Sequence, residues 1–160
     1  MAETGKIERK LLAHYLNATP SAEATYERLG KDLEEYNVEL NAEVEKKKNI
    51  LGETSINVSS YEVQGEVQPY FAEKGTKLFE FLQDIIDNRK TLDQVKTTAC
   101  EVHTWDGAEN AYTAFEEEVY IEVTSYGGDY NGYQIMFNVH YTGKRKKGTF
   151  NLDTKKFVAA

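Results

Sequence analysis

The chain has 160 residues, of which 40% are hydrophobic and 12% aromatic, and its formal net charge is −8. This composition excludes an intrinsically disordered chain, and the length is sufficient for a sizeable core. The acidic balance argues against a nucleic-acid-binding protein, because neutralisation of phosphates by lysine and arginine supplies most of that affinity.

The first thirty residues contain short signals. Residues 11–16 are predicted to form either a strand or one short helix, residues 25–29 a short strand, and residues 30–32 a turn. Residues 1–6 have no apolar signal-peptide core, and no run of about 18 apolar residues occurs anywhere. We therefore expect synthesis in the cytoplasm and no membrane partner.

A long hairpin is predicted from residue 36 onwards, where polar and apolar residues alternate strictly. Apolar residues face one side and polar residues the other: Val38, Leu40, Ala42 and Val44 against Glu39, Asn41, Glu43 and Glu45. The second strand runs through Ile56, Val58 and Ser60, and the tip lies at residues 49–52. Near the tip, three cations flank an apolar pair: Lys46, Lys47, Lys48, Ile50 and Leu51. These residues indicate either a docking contact or a tip that folds back on its own core.

One helix follows, and its apolar residues recur at helical spacing: Leu78, Phe79, Leu82, Ile85 and Ile86. Thr76 is predicted to cap its start through the hydroxyl group, and residues 88–90 suit its end. A single amphipathic helix cannot bury its stripe alone, so these five side chains are expected to pack on a sheet.

Strands dominate the rest of the chain. We predict strands over residues 95–105, 112–125 and 133–142, with turns at Asp106–Gly107 and 143–148 and a loop over 126–132. A last hairpin pairs residues 149–152 with 157–158. The fold class is mainly β (α+β): an antiparallel β-sandwich or partial barrel with one flanking helix and a projecting hairpin. Since no repeat or linker is present, residues 1–160 are predicted to form one domain.

No residue set with catalytic or metal-binding chemistry is evident. Residues 116–118 are all glutamate, but neighbouring strand residues point to opposite faces, which favours a solvated surface over acid–base chemistry. Cys100 and His103 also face opposite ways on a strand, and residues 129–132 favour a turn over a calcium loop. We therefore predict a protein that is not an enzyme and has no cofactor or bound metal.

The segment around the helix carries a family resemblance. The run Pro69-Tyr70-Phe71-Ala72-Glu73-Lys74-Gly75, then Leu78-Phe79, then Ile85-Ile86-Asp87-Asn88-Arg89, resembles the major tail protein (tail tube protein) family of long-tailed bacteriophages. Chain length and the order of strands and helix also fit, over about residues 25–158.

The resemblance implies a subunit that self-assembles into hexameric rings stacked as a hollow tube, with the hairpin reaching the adjoining ring. It also implies a place in the virion tail, a tape measure protein and a tail terminator as partners, and DNA that passes through the lumen without specific binding. The alternative is a monomeric β-sandwich that recognises carbohydrate or protein through the Tyr-rich loop at residues 126–133.

Strand alternation adds a hypothesis about the lumen. Four outward-facing acids are candidates for its lining: Glu39, Glu43, Glu118 and Glu122. A negative wall repels phosphates within the screening length of about 10 Å at 0.1 M salt, so DNA would not adhere to it. The cations and apolar pair near the hairpin tip are the candidates for the contact between rings.

Overall fold

The computed structural model describes residues 5–30, 33 and 35–160. The prediction of a turn at residues 30–32 falls mostly outside these residues. The described part contains one α-helix, α1 (Lys77–Asn88), and short 3-10 turns at Arg9–Leu11 and Leu92–Val95. Its strands are β1 (Leu12–Asn17), β2 (Tyr26–Leu29), β3 (Val38–Glu39), β4 (Ala42–Lys48), β5 (Thr54–Tyr61), β6 (Gln64–Phe71), β7 (Lys96–Ala108), β8 (Ala111–Asp129), β9 (Gly132–Asn151) and β10 (Lys156–Ala159).

Eight of these strands form one antiparallel sheet. Its order is β2-β1-β7-β8-β9-β6-β3, and β10 pairs with the C-terminal part of β9. The other two strands, β4 and β5, pair only with each other. The predicted class is therefore confirmed: the protein is mainly β and antiparallel, with a single described helix and a projecting hairpin.

Two cores lie on opposite faces of the long strands. The first core combines α1 with one face of the sheet, and its sheet residues include Leu16, Ala99, Val119, Ile121, Ile135, Phe137 and Val139. The second core lies under β10 and contains Ala13, Tyr15, Tyr26, Cys100, Val102, Ala114 and Phe150. On β8 the buried position changes from Ala114 to Val119, an odd number of residues apart. Because alternate strand residues face opposite ways, this spacing places the two cores on opposite sides.

Helix α1 forms where its sequence predicts. Thr76 lies in an extended conformation, and its hydroxyl accepts a hydrogen bond from the Phe79 backbone N–H. The first two backbone N–H groups of the helix, those of Lys77 and Leu78, donate hydrogen bonds to the carboxylate of Glu27 on β2. The helix ends at Arg89, which adopts a left-handed conformation. The α1 residues that pack on the sheet are Leu78, Leu82, Ile85 and Ile86, which are buried, and Phe79, which is half-buried.

The hairpin is shorter than the alternation predicts. Asn41 has a φ of 46° and separates β3 from β4, so Val38 and Val44 do not share one strand. Val38 pairs with Gly65 in the main sheet and is half-buried, whereas Val44 is exposed on the hairpin. The prediction of one strand through both residues is therefore wrong.

Three of the predicted boundaries after the helix are also wrong. Asp106 and Gly107 lie within β7, where Gly107 has a φ of 97° beside a register shift, and the turn comes at residues 109–110. Residues 143–148 lie within β9, with a register shift against β8 near Gly143. The loop predicted at residues 126–132 shrinks to a two-residue turn between β8 and β9. Glycine serves bulges at these positions because it tolerates positive φ.

The remaining sequence expectations concern the two ends of the chain. Residues 9–11 form a 3-10 turn, and β1 begins at Leu12, so the strand alternative for residues 11–16 is confirmed and the helix alternative is wrong. The last hairpin is confirmed by the pairing of β9 with β10. Among the described residues, no helix has the length and apolar character needed to cross a membrane.

Candidate functional site

One face of the main sheet has α1 packed on it. The opposite face carries the second core near β10 and is polar farther along β8, β9, β6 and β3. We call this polar part the open face. Its register joins Glu39, Gln64, His140 and Tyr120 in one row across four strands, and Glu66, Asn138 and Glu122 in another across three. Directly paired strand residues project to the same side of a sheet. Their chain neighbours, such as Val67, Ile121 and Val139, are buried on the α1 side.

Glu118 belongs to the open face but its charge is neutralised. Lys96 Nζ lies 2.5 Å from one carboxylate oxygen of Glu118 and Lys144 Nζ lies 3.1 Å from the other. The Glu118 side chain is only 15% exposed. It therefore contributes more to the pairing of β7, β8 and β9 than to the field above the sheet.

Glu122 remains charged and accessible. Its Oε1 atom accepts hydrogen bonds from Asn138 Nδ2 at 3.3 Å and lies 2.6 Å from His140 Nε2. The hydrogen bond with His140 lowers the pKa of Glu122 below its usual value, so the carboxylate stays ionised at neutral pH. Half of its side chain faces solvent.

Glu66 was missed by the sequence analysis, and the register brings it into the same surface. It is exposed and lies opposite Asn138, which in turn lies opposite Glu122. Glu39 is likewise exposed at the β3 edge of this face. The alternation of Gly65, Glu66 and Val67 in the sequence was a usable signal, but only strand pairing shows which acids are neighbours. Within the residues that the structure describes, three carboxylates of the open face form no ion pair with a lysine: Glu39, Glu66 and Glu122.

Glu43 does not join this group. It lies on the hairpin, where its backbone is paired with Ser60 and its carboxylate accepts a hydrogen bond from the Ser60 hydroxyl. The structure thus places three of the four lumen candidates on one sheet face and the fourth on a separate element.

The hairpin tip is an ordered turn with apolar side chains pointing into solvent. The Asn49 side-chain oxygen accepts hydrogen bonds from the backbone N–H groups of Leu51 and Glu53. Gly52, with a φ of 82°, donates its N–H to the Asn49 carbonyl. Ile50 is fully exposed at 103% and Leu51 at 76%. Within the described residues the tip does not fold back on its own core.

The hairpin cations differ in their partners. Lys47 lies 3.9 Å from Glu45 on the same strand. Lys46 and Lys48 form no ion pair with any part of the chain that the structure describes. All three side chains are exposed.

The glutamate run at residues 116–118 serves strand pairing. Glu116 accepts a hydrogen bond from the Tyr26 hydroxyl, and Glu117 accepts one from the Gly143 backbone N–H at 2.9 Å. Arg145 lies opposite Glu117 in the register, with 3.8 Å between their charged groups. Each carboxylate therefore has a structural partner.

The other motifs are also occupied by structural contacts. The buried Cys100 faces the second core, whereas His103 stacks on Trp105 at 4.6 Å and contacts Glu101. Asp129 accepts hydrogen bonds from the Asn131 N–H and the Gln134 side chain, as expected for a turn. No group of three metal-ligating side chains occurs among residues 5–30, 33 and 35–160.

Comparison with known proteins gives a structural answer and no sequence answer. No protein-family model matches the chain, and no curated protein matches it by sequence. Among solved structures, the chain is similar to the SPP1 tail tube, in a hybrid structure from solid-state NMR and cryo-EM. The two share 16% sequence identity with a TM-score of 0.63, over 90% of this chain and 80% of the other.

This similarity establishes a shared fold. The chain has the fold of a tail tube protein, as the resemblance of residues 69–89 implies. At this level of identity the individual residues of the open face and the hairpin are not transferred from the other protein. Their roles have to be argued from their own geometry.

Proposed function

We propose that this chain is a structural subunit of a virion tail tube, self-assembling into stacked hexameric rings whose lumen conducts DNA during ejection. The observation that carries the proposal is the similarity to the SPP1 tail tube over 90% of the chain. Hexameric rings and passage of DNA follow from the family resemblance. In this proposal the tape measure protein and the tail terminator are further partners, and the subunit has no enzymatic role.

The unpaired parts of the sheet support self-assembly. The main sheet ends in short strands, β2 with four residues and β3 with two. The hairpin has no strand partner in the described chain, and residues 39–62 are all exposed. Unpaired strand edges and exposed apolar residues attract further protein surface, and copies of the same chain supply it in a tube.

The open face is our proposed lumen lining. Three exposed carboxylates, Glu39, Glu66 and Glu122, lie on this polar surface opposite the helix and have no lysine partner among the described residues. Repeated around a ring, these carboxylates would present a negative wall that repels DNA phosphates. Glu118 lies on the same face, and its lysine partners reduce its share of that field.

The alternative function, a binding module that uses a Tyr-rich loop, requires a loop at residues 126–133, and most of these residues lie in strands. β8 continues to Asp129 and β9 begins at Gly132. Tyr126 contacts Arg89, and the Tyr133 hydroxyl donates a hydrogen bond to Gln83 at 2.7 Å. These contacts attach Tyr133 to α1 and Tyr126 to the residue that caps the end of α1.

The first test is assembly of the purified chain. Concentrated protein is expected to form rings or hollow tubes in negative-stain electron micrographs, and sedimentation velocity should show large species that increase with concentration. A chain that sediments as a monomer at every concentration, with no rings or tubes in micrographs, would contradict the proposal.

The second test concerns the open face. Tubes of the double variant E66K/E122K, assembled with short duplex DNA, should retain several-fold more nuclease-resistant DNA than wild-type tubes, because lysines in a lumen would bind phosphates. The matched control, E80K/D87K, makes the same charge change on exposed residues of α1. DNA bound by the control should stay sensitive to nuclease. Equal protection of DNA in wild-type and E66K/E122K tubes would contradict the assignment of the open face to the lumen.

A further inference from the structure

The α1 side of the sheet continues past the first core along β1 and β7. Leu16 and Ala99 are paired across these two strands and belong to the first core. His14 and Glu101 form the pair two positions farther along the same strands. Because residues two apart on a strand face the same way, His14 and Glu101 project to the α1 side. Here the ring of Tyr36 packs edge to face on His14 at 4.8 Å.

A cavity of about 900 Å³ opens beside His14. We call it the His14 cavity. Much of its wall is apolar, with aliphatic and aromatic side chains from the segment around β3, from the end of β5 and from β8: Tyr36, Val38, Leu40, Tyr61, Val63 and Phe115. Sites for small molecules have volumes of about 300–1,000 Å³, mostly apolar walls and a few polar groups. The His14 cavity therefore has the size and composition of a small-molecule site.

The charged groups of the His14 cavity neutralise one another. Its lining contains two arginines and two glutamates: Arg9, Arg145, Glu101 and Glu117. Arg145 Nη2 lies 3.0 Å from Glu101 Oε2, and Arg145 Nη1 lies 3.8 Å from Glu117 Oε1. Arg9 donates hydrogen bonds to the backbone carbonyl groups of two further lining residues, Leu12 and Tyr36. Since a buried charge without a counter-ion is costly, the cavity suits an uncharged ligand.

His14 supplies an unsatisfied polar group to this cavity. It is 6% exposed, and its ring nitrogens form no hydrogen bond within the part of the chain that the structure describes. Burial lowers the pKa of His14 to about 4, so the ring is neutral at pH 7 and has one donor and one acceptor nitrogen. Buried polar side chains nearly always have a hydrogen-bond partner. We therefore expect a bound molecule to supply the partner of the imidazole.

A hydroxyl group on an aromatic ring matches the remaining features of the cavity. The hydroxyls of Tyr36 and Tyr141 lie 2.7 Å apart, and both residues line the cavity. The bond between them uses one of their two protons, so the other is available to a ligand oxygen. A ligand hydroxyl accepts such a proton and donates its own to the acceptor nitrogen of His14. The rings of Tyr36, Tyr61 and Phe115 favour an aromatic ligand, because aromatic rings pack favourably edge to face or offset.

We propose that the His14 cavity binds a small uncharged aromatic alcohol whose hydroxyl group donates a hydrogen bond to the His14 imidazole. This inference goes beyond the proposed function, because the cavity is formed by residues of one chain and needs no assembly. Binding is therefore measured on dilute, unassembled protein. A failure of the ligand experiment overturns this inference and leaves the tube proposal unchanged.

Three fluorinated rings of similar size test the ligand chemistry by fluorine NMR: 4-fluorophenol, 4-fluorotoluene and 4-fluorobenzoate. 4-Fluorophenol is expected to bind at least about fivefold more tightly than 4-fluorotoluene, which keeps the ring but lacks the hydroxyl group. 4-Fluorobenzoate should bind more weakly than both, because its charge finds no free counter-ion in a neutral cavity. Equal affinities for 4-fluorophenol and 4-fluorotoluene, or tightest binding of 4-fluorobenzoate, would overturn the proposal.

The variant H14F removes the proposed acceptor and keeps an aromatic ring beside Tyr36. It should weaken the binding of 4-fluorophenol about tenfold and change that of 4-fluorotoluene by less than about threefold. The matched control H140F makes the same substitution on the open face, outside the lining of the His14 cavity, and should leave both affinities unchanged. An affinity of H14F for 4-fluorophenol equal to that of wild type would contradict the role of His14.

The variant L40A locates the ligand without changing His14. Leu40 lines the cavity and is 56% exposed, so its truncation is expected to leave the fold intact. Loss of this part of the wall should weaken the binding of 4-fluorophenol and 4-fluorotoluene about threefold each. The control I50A shortens an exposed aliphatic side chain at the hairpin tip and should have no effect. Equal effects of L40A and I50A, or no binding of 4-fluorophenol to wild type, would show that the cavity is not a ligand site.

Discussion

Truncation of Phe137 to alanine is expected to lower the free energy of unfolding by about 3–5 kcal/mol, the range for large aromatic residues in a core. Phe137 lies on β9 between β8 and β6, and its side chain is fully buried in the first core. Its ring meets that of Tyr70 edge to face at 6.3 Å. Removing the phenyl group leaves a cavity at the junction of three strands and α1, which the rigid sheet cannot close.

Urea denaturation of dilute, unassembled protein measures this effect through circular dichroism. The matched control is Y130A, which removes an aromatic side chain that is 97% exposed at the β8–β9 turn. That variant should change the free energy of unfolding by less than about 0.5 kcal/mol. Similar losses for both variants would mean that Phe137 does not anchor the core.

Features set by local sequence were predictable. The spacing of the α1 residues and the cap at Thr76 act within a few residues, so they predict the helix and its start. The hairpin tip follows from Asn49 and Gly52 for the same reason. These local signals do not depend on which distant strand packs beside the segment.

The long strands were misjudged because their partners override local turn chemistry. The basic run at residues 144–147 has the composition of a turn, but in the structure Arg145 and Lys146 lie opposite Glu117 and Glu116. Opposite charges across neighbouring strands favour pairing by about 0.2–1 kcal/mol per pair. The acidic and basic runs are complementary in the sequence, and this complementarity was the signal that the two segments pair.

Only part of the membership of the open face could be predicted from the sequence. Alternation along one strand places Glu118 and Glu122 together, since both lie on β8. The membership of Glu39 and Glu66 depends on the register of β3 and β6 against β9, which the chain alone does not reveal. The ion pairs of Glu118 with Lys96 and Lys144 also depend on tertiary structure, because these lysines lie on the neighbouring strands β7 and β9.

His14 is expected to make the subunit less stable in mild acid. It lies on β1 with 6% exposure, and its ring contacts that of Tyr36 edge to face at 4.8 Å. Burial lowers the pKa of His14 from 6.5 to about 4. Glu101, its register partner on β7, opposes this shift, whereas three cationic or protonatable neighbours add to it: Arg9, His103 and Arg28.

The direction of the pH dependence follows from proton binding. Between pH 6.5 and 4 the unfolded chain binds a proton at His14 and the folded chain does not, so the free energy of unfolding falls as the pH falls. A pKa difference of this size corresponds to a loss of about 3 kcal/mol across the window. Above pH 6.5 both states hold a neutral imidazole, and the contribution of His14 no longer changes.

The variant H14F keeps an aromatic ring against Tyr36 but cannot bind a proton. Urea denaturation at several values between pH 4.5 and 7 should show a shallower loss of stability in H14F than in wild type, with the difference confined to this window. Because carboxylates titrate in both proteins, the comparison isolates the histidine. NMR titration of the folded chain, with the resonance assigned through H14F, gives the pKa directly. A His14 that titrates near 6.5 in the folded chain, or equal pH profiles for the two proteins, would show that burial does not exclude the proton.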